Sequence, residues 1–409
     1  MSAAEEETPA NRSERLRRLI GARDLKMARS AHAYVRGSTA QFYAWLAESK
    51  AAASAPKGPP VWICGDCHVG NLGPIAHADG RVDVQIRDLD QTVIGDPAHD
   101  LIRLGLSLAT AARGSDLPGV VTARMLEAMV DGYSRGLKGA RFRDRGPEAE
   151  APDVVKVVHR AALGRKWRDL AVERLEDVKP AIPIGRRFWT LSDRERSAVE
   201  ALVAGDDVRA LVLALGDRHN DATIKVEDAA YWKKGCSSLG HLRFAVLIRV
   251  DGPTKGRQYG LLDIKEAVPS VAPVAKGADM PDDPAQRVVA GARALSPNLG
   301  ERMAAATLLG RPVIVRELLP QDLKIEIEQF SRGEAVKSAR YLAEVVGRAH
   351  GRQMTPAQRK AWGETLGRRR RGALDAPNWL WSTVVELAGM HEAGYLEHCR
   401  RYALAAEAA

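Results

Sequence analysis

Apolar residues recur at spacings of three and four through "SERLRRLIGARDLKMARS" and "AHAYVRGSTAQFYAWLAES", and "ASAPKGPP" closes the pattern off. That periodicity predicts amphipathic helices, so residues 1–60 read as a helical lead-in. The period then shortens. "PVWIC" is a short apolar run, "VDVQIRDLD" alternates, and "HADG" between them has turn chemistry, which predicts a strand, a tight turn and a strand. After "GDPAHD" the helical period returns, with Leu101, Leu104 and Leu108 on one face, and continues in segments to about residue 205. "GARFRDRGPEAEAPD" and "KPAIPIGRRFW" interrupt it as exposed loops.

From about residue 222 the pattern becomes strand-like. "ATIKVEDAAYWKKG", "HLRFAVLIRVDG" and "RQYGLLDIKEAV" are β-rich runs joined by Gly-containing turns, which predicts a small antiparallel sheet. "DDPAQRVVAGARAL" follows as a helix with acids and Pro284 at its start, and "RPVIVREL" is one more strand. From "EAVKSARYLAEVVGRAHGRQ" onward the chain is helical again. The expected segments are 1–60, 61–221, 222–320 and 321–409. Trp167, Trp189, Trp379 and Trp381 are expected to pack inside.

Composition changes this picture little. With 409 residues, 45% hydrophobic and 28% charged, the chain can bury a sizeable core. Its start, "MSAAEEETPANRSERLRR", has no apolar stretch of the secretory kind, and no apolar run approaches the roughly 20 residues of a membrane helix. A soluble, cytoplasmic protein is the expectation. The net charge of +9 has one local concentration, "GRRRRG" from Gly367 to Gly372, but no aromatic residues interleave it. Nucleic acid is therefore an unfavoured partner.

Cys64-Gly65-Asp66-Cys67-His68 has the C-x-x-C-H spacing of a c-type haem attachment, and more loosely of a redox or zinc half-site. Cys236 and Cys399 are too isolated to complete a zinc set. The residues between and beyond the cysteines carry a different chemistry. Gly65-Asp66-Cys67-His68-Val69-Gly70-Asn71 is followed by Asp88-Leu89-Asp90 and then by Gly95-Asp96-Pro97-Ala98-His99-Asp100-Leu101. Acids and an amide suit magnesium, which prefers hard oxygen ligands. Phosphoryl transfer needs such a metal and a carboxylate to orient the attacking hydroxyl, with little covalent help.

This succession resembles the catalytic segment of the aminoglycoside phosphotransferase and choline kinase branch of the protein-kinase-like fold, G-D-x-H-x-x-N, then D-x-D, then G-D-P-x-x-D-L. The resemblance implies an α+β fold of two lobes. It implies that Asp66 is the catalytic base and that Asn71 and Asp88 are magnesium ligands; Asp90 is expected as a second metal ligand or as a hydrogen-bonding neighbour. Asp100 would brace the loop from within, and His68 would hydrogen-bond its backbone. In that family a nucleotide lobe precedes the catalytic loop, whereas here its parts lie downstream. Gly235-Cys236-Ser237-Ser238-Leu239-Gly240 resembles a Gly-rich phosphate-covering loop, with Gly235, Ser237, Ser238 and Gly240 as its binding positions. Lys265 resembles the strand lysine that pairs with the α/β-phosphates, "VIVREL" the strand into the hinge, and Ala339 to Arg352 the helix before the catalytic loop. Arg316 and Lys324 lie near that hinge.

The implied order is a circular permutation, with the helical stretch from about 105 to 221 joining the old termini. Phrases such as "AYVRG", "IPIGRRFW", "DIKEA" and "VIVREL" also resemble the uncharacterised bacterial family of domain of unknown function 2252. One departure stands out: the helix after Lys265, "AQRVVAGARAL", offers no Glu to pair with it. The expectation is an ATP- and magnesium-dependent phosphotransferase acting on a hydroxyl of a small molecule. The alternative is a non-catalytic kinase-like module that binds nucleotide or a protein.

Overall fold

The computed structural model describes residues 8–9, 11–139, 151–175, 181–215, 218–236, 238–253, 256–325, 331–367 and 376–407. Three helices open the chain: α1 (Arg12–Ala28), α2 (Ala31–Gly37) and α3 (Thr39–Glu48). Asn11 and Ser30 cap the first two, each side chain accepting the backbone N–H three residues on. Four short strands follow, β1 (Val61–Ile63), β2 (Leu72–Ala76), β3 (Val82–Ile86) and β4 (Val93–Gly95). The turn "HADG" does join two strands, but its first partner is β2 rather than "PVWIC". That apolar run, β1, pairs with β4 instead. β2 reads "LGPIA", and its glycine and proline disguise a strand that is buried at every position.

Helices α4 (Pro97–Gly114), α5 (Gly119–Gly139), α6 (Asp153–Gly164) and α7 (Trp167–Leu175) come next. The expected loop 179–189 contains a two-residue strand, β5 (Phe188–Trp189), and α8 (Asp193–Ala204) and α9 (Asp206–Leu213) complete this region. Of the other expected loop, only its two ends fall among the described residues. The strand-rich segment forms β6 (Thr223–Trp232), β7 (Arg243–Gly252) and β8 (Gly256–Glu266). It continues through α10 (Pro284–Leu295), the single turn α11 (Pro297–Gly300), β9 (Met303–Leu308) and β10 (Arg311–Leu318). Helices α12 (Arg332–Gly351), α13 (Pro356–Gly367) and α14 (Asn378–Glu407) end the chain.

The molecule is a mixed α/β structure in which one antiparallel sheet, in the order β5-β6-β7-β8-β10-β9, lies beside a larger helical body. One sheet face packs under α8 and α9 through Val199, Val212, Phe244 and Ile264. The other face packs Phe188, Trp232 and Leu261 against Leu170 of α7. Trp189 and Trp379 are buried as expected. In the helical body α5 and α12 approach to backbone contact: a Cβ on Gly132 would lie 1.9 Å from the Arg340 carbonyl oxygen, and one on Gly347 2.3 Å from that of Tyr133. Only glycine permits that spacing. No helix among the described residues is long and apolar enough to cross a membrane.

Candidate functional site

The loop from Gly65 to Asn71 is fixed from beneath. Gly65 takes φ +74°, and a Cβ there would stand 2.1 Å from the Gln91 carbonyl oxygen. Asp100, in the first turn of α4 and wholly buried, accepts the backbone N–H groups of Cys64 at 2.7 Å and Gly65 at 2.9 Å. His350 of α12 sets its Nε2 3.1 Å from the same carboxylate and its Nδ1 2.8 Å from the Tyr133 hydroxyl of α5. Trp362 of α13 donates to that hydroxyl at 3.1 Å. Four helices thus hold the start of one loop. Cys64 and Cys67 are free thiols in the core, and burial pushes the Cys64 thiol well above its usual range.

Above this brace stand the polar side chains. Asn71 donates its amide to the Asp88 carbonyl at 2.7 Å and the Asp66 carbonyl at 3.3 Å. Its nitrogen is thereby committed to the loop, which leaves Oδ1 as the atom suited to a cation. Asp66 is paired at 2.9 Å with Arg103, a guanidinium buried in α4 that also donates to the Val35 carbonyl. Burial raises the Asp66 carboxyl, and Arg103 only partly offsets it. His68 stands 4.0 Å from Asp66, and burial with the Arg36 charge holds its pKa well below the ordinary value, so the ring is neutral.

Lys265 of β8 arrives at the same place. Its ammonium contacts the Asp90 carboxylate and lies 3.6 Å from Asp88. Asp90, expected among the magnesium ligands, is thus the carboxylate partner that the following helix does not provide. That helix, α10, contributes Arg287 instead, which donates to the carbonyls of Asp90 at 2.9 Å and Val268 at 2.8 Å, and to that of Thr92. Asp88 is more than half exposed and faces the cleft. Desolvation by its surroundings would raise its carboxyl, yet Lys265 and Arg316 hold it below the ordinary range. For Asp90 the balance is reversed: desolvation and the Asp88 charge outweigh Lys265 and raise it.

The loop between β6 and β7 closes the site from the sheet side. Gly235 and Gly240 both take positive φ, at +105° and +108°. Ser238 donates to the Lys234 carbonyl at 3.3 Å, so Gly235 lies close over it. Ser237 lies outside the described residues. Gly235 and Ser238 line a cleft of 390 Å³ together with Asp66, His68, Asn71 and Asp88, whereas Gly240 faces Leu16 of α1. Arg243 and Arg316 also line it and converge on Asp263, a buried acid on β8, at 2.6 Å and 3.1 Å. Ten lysines and arginines line the cleft against four acids, so it suits a polyanion. Its apolar lining is Ile75, Leu170, Trp232 and Leu318, with the Lys234 ammonium 3.9 Å over the Trp232 ring.

Sequence reasoning missed Arg103, Asp263, Arg243 and Arg287. Each is a lone charge on an apolar periodic stretch, and that pattern, a buried charge needing a distant partner, was the available signal. Among the described residues no group of three His, Cys, Asp or Glu side chains is arranged for a metal. One exposed carboxylate and one amide oxygen nevertheless fit magnesium, which keeps waters and completes its shell with substrate phosphates. No curated protein and no solved structure matches the chain. The profile of one family does match, over residues 15–401, described as an uncharacterized protein conserved in bacteria (DUF2252), and the chain belongs to that family.

Proposed function

We propose that the protein is an ATP- and magnesium-dependent phosphotransferase with a circularly permuted kinase-like fold, acting on a hydroxyl of a small molecule. The observation that carries the reading is the meeting of Lys265 with Asp88 and Asp90. Lys265 and Asp90 stand 175 residues apart in sequence, yet the buried lysine meets Asp90 and reaches the exposed Asp88 beside it. The order around the sheet supports the same reading: a glycine loop between β6 and β7, a lysine on β8, a helix α10, then β10 leading out. Asp100 beneath the loop occupies the place the resemblance implies for a bracing acid.

In this reading the apolar lining, Trp232 above all, holds the base, and the Gly235 loop and Lys265 hold the phosphates. Asn71 and Asp88 hold magnesium, which when bound neutralises charge on the phosphates. Asp66 orients the acceptor hydroxyl and takes its proton as the hydroxyl oxygen bonds to the γ-phosphorus and the bridging oxygen leaves with ADP. The Asp66–Arg103 pair favours a second reading, since a carboxylate oxygen held at 2.9 Å by a buried guanidinium is already occupied and less free to meet an acceptor hydroxyl. That reading is a nucleotide- or protein-binding module without transfer. Thermal unfolding with millimolar ATP, with and without magnesium, separates the cases. No shift refutes nucleotide binding. A shift in wild type that Asp66→Asn retains while losing ADP formation supports the enzyme, and a shift without any ADP formation supports the module.

A further inference from the structure

A cation on the cleft wall meets no acid among the described residues. Arg36, in the last turn of α2, lies along the loop that carries Asp66 and Asn71, with its guanidinium carbon 3.6 Å from where a Cβ of Gly70 would stand. Arg103, Arg218, Arg243 and Arg302 each meet a carboxylate within 3 Å, but among the described residues no acid pairs with Arg36. The titratable groups whose charges interact with it include Lys26, His32, His68 and the Cys236 thiol. Lys26 donates to the Gly235 carbonyl at 2.7 Å and lines the same wall. His68 is 6% exposed, and its Nδ1 is buried without a hydrogen-bond partner. A half-buried guanidinium beside an ammonium and an unpartnered ring nitrogen is unfavourable until an anion completes it.

We infer that the acceptor carries an anionic group, a phosphomonoester or a carboxylate, that Arg36, Lys26 and His68 bind while its hydroxyl faces Asp66. The orientation rests on the phosphotransferase reading; the anion site does not. Amine-bearing acceptors are disfavoured by the same charges, since Arg36 and Lys26 both stand on this wall. Arg36 is partly exposed on the rim of its helix, so its replacement leaves the core intact.

The test is calorimetric titration of inorganic phosphate, and separately of acetate, into the full chain. Each titration is run alone and after saturation with a non-hydrolysable ATP analogue and magnesium. Wild type is expected to bind at least one of the anions in both conditions, with the tighter one identifying the acceptor head. Arg36→Ala and Arg36→Gln should each weaken that anion by about tenfold or more, the loss of one charge-assisted contact, and leave the affinity for the analogue unchanged. Equal anion affinity in wild type and both variants would overturn the inference, as would absence of anion binding. Competition between anion and analogue, with Arg36→Ala weakening both, would assign Arg36 to the nucleotide and also overturn it. Failure of the analogue to bind, with anion binding lost in Arg36→Ala, would instead refute the phosphotransferase reading and leave the anion site standing.

Discussion

Replacing Asp100 by Ala tests the brace under the loop from Gly65 to Asn71. The wild-type carboxylate is wholly buried and accepts from two backbone N–H groups, and it lies 3.1 Å from His350 Nε2. Alanine leaves all three of these partners buried with no acceptor in reach. Each orphaned buried donor costs about 1–3 kcal/mol, so the destabilisation should be at least about 3 kcal/mol. For a chain of 409 residues the unfolding entropy is on the order of 0.9 kcal/mol per degree, so the melting temperature should fall by about 3–4 °C or more. Urea denaturation gives the energy, and amide hydrogen exchange at Cys64 and Gly65 localises it, because those two groups should lose protection first. Asp100→Asn should cost less, since one oxygen remains to accept. Unchanged exchange at Cys64 and Gly65 together with a loss below about 0.5 kcal/mol would show that the loop is held by something else.

Three further outcomes are expected. Gly132→Val forces α5 away from α12, where a Cβ would stand 1.9 Å from a carbonyl oxygen, and should destabilise by at least about 1–3 kcal/mol in denaturant titration. Burial would raise the Asp263 carboxyl, but Arg243 and Arg316 hold it far below the ordinary range, so its ionic contribution to stability is fully present above about pH 5 and declines as pH falls through about 4 and below. The stability difference between wild type and Asp263→Asn should therefore shrink between about pH 5 and 3, and a difference constant across that range would show that the charge is not the cause. Cys64 and Cys67, at 0% and 1% exposure, should resist a thiol-specific disulfide reagent in the native protein and react on unfolding, so rapid native labelling of either would contradict the buried placement.

Much of the architecture was readable because period and turn chemistry agree. The three β-rich runs became β6, β7 and β8, and "DDPAQRVVAGARAL" became α10 with Asp283 accepting from Gln286 at its start. "MAAATL" escaped notice as β9 because alanine has little strand preference, and its pairing with β10 supplies what its sequence does not. "LGPIA" escaped for its Gly and Pro, yet β3 and the packing of α6 hold it in place. At the site, Asp66, Asn71 and Asp88, singled out by the G-D and D-x-D patterns, line one cleft, whereas Asp90 is turned to Lys265. The partner of Lys265 was illegible for a physical reason. The search for it followed the local rule that a strand lysine pairs with the next helix, while the fold supplies Asp90 from far upstream and uses the helix residue Arg287 to clamp the backbone beside it. Likewise "AHDLIRLGL" marks Arg103 as a charge on an apolar stretch but does not name its partner, because Asp66 belongs to a different element.

The first helix has a consequence for how the cleft can breathe. Through Lys26 it grips the Gly235 carbonyl, and through Arg15 it pairs with Glu195 at 2.6 Å and covers Tyr231 of the sheet. The same last turns that carry Lys26 are tied to α14, where Tyr395 donates to the Ala28 carbonyl and His398 meets the carbonyl of Asp24. The beginning and the end of the chain therefore form a single strut between the glycine loop and the helical body. A sheet that swings away from that body must either carry α1 along and break its seat on α14, or let the loop slide off Lys26. α1 and α14 thus join the glycine loop to the helical body, and a load placed on either helix is transmitted to that loop.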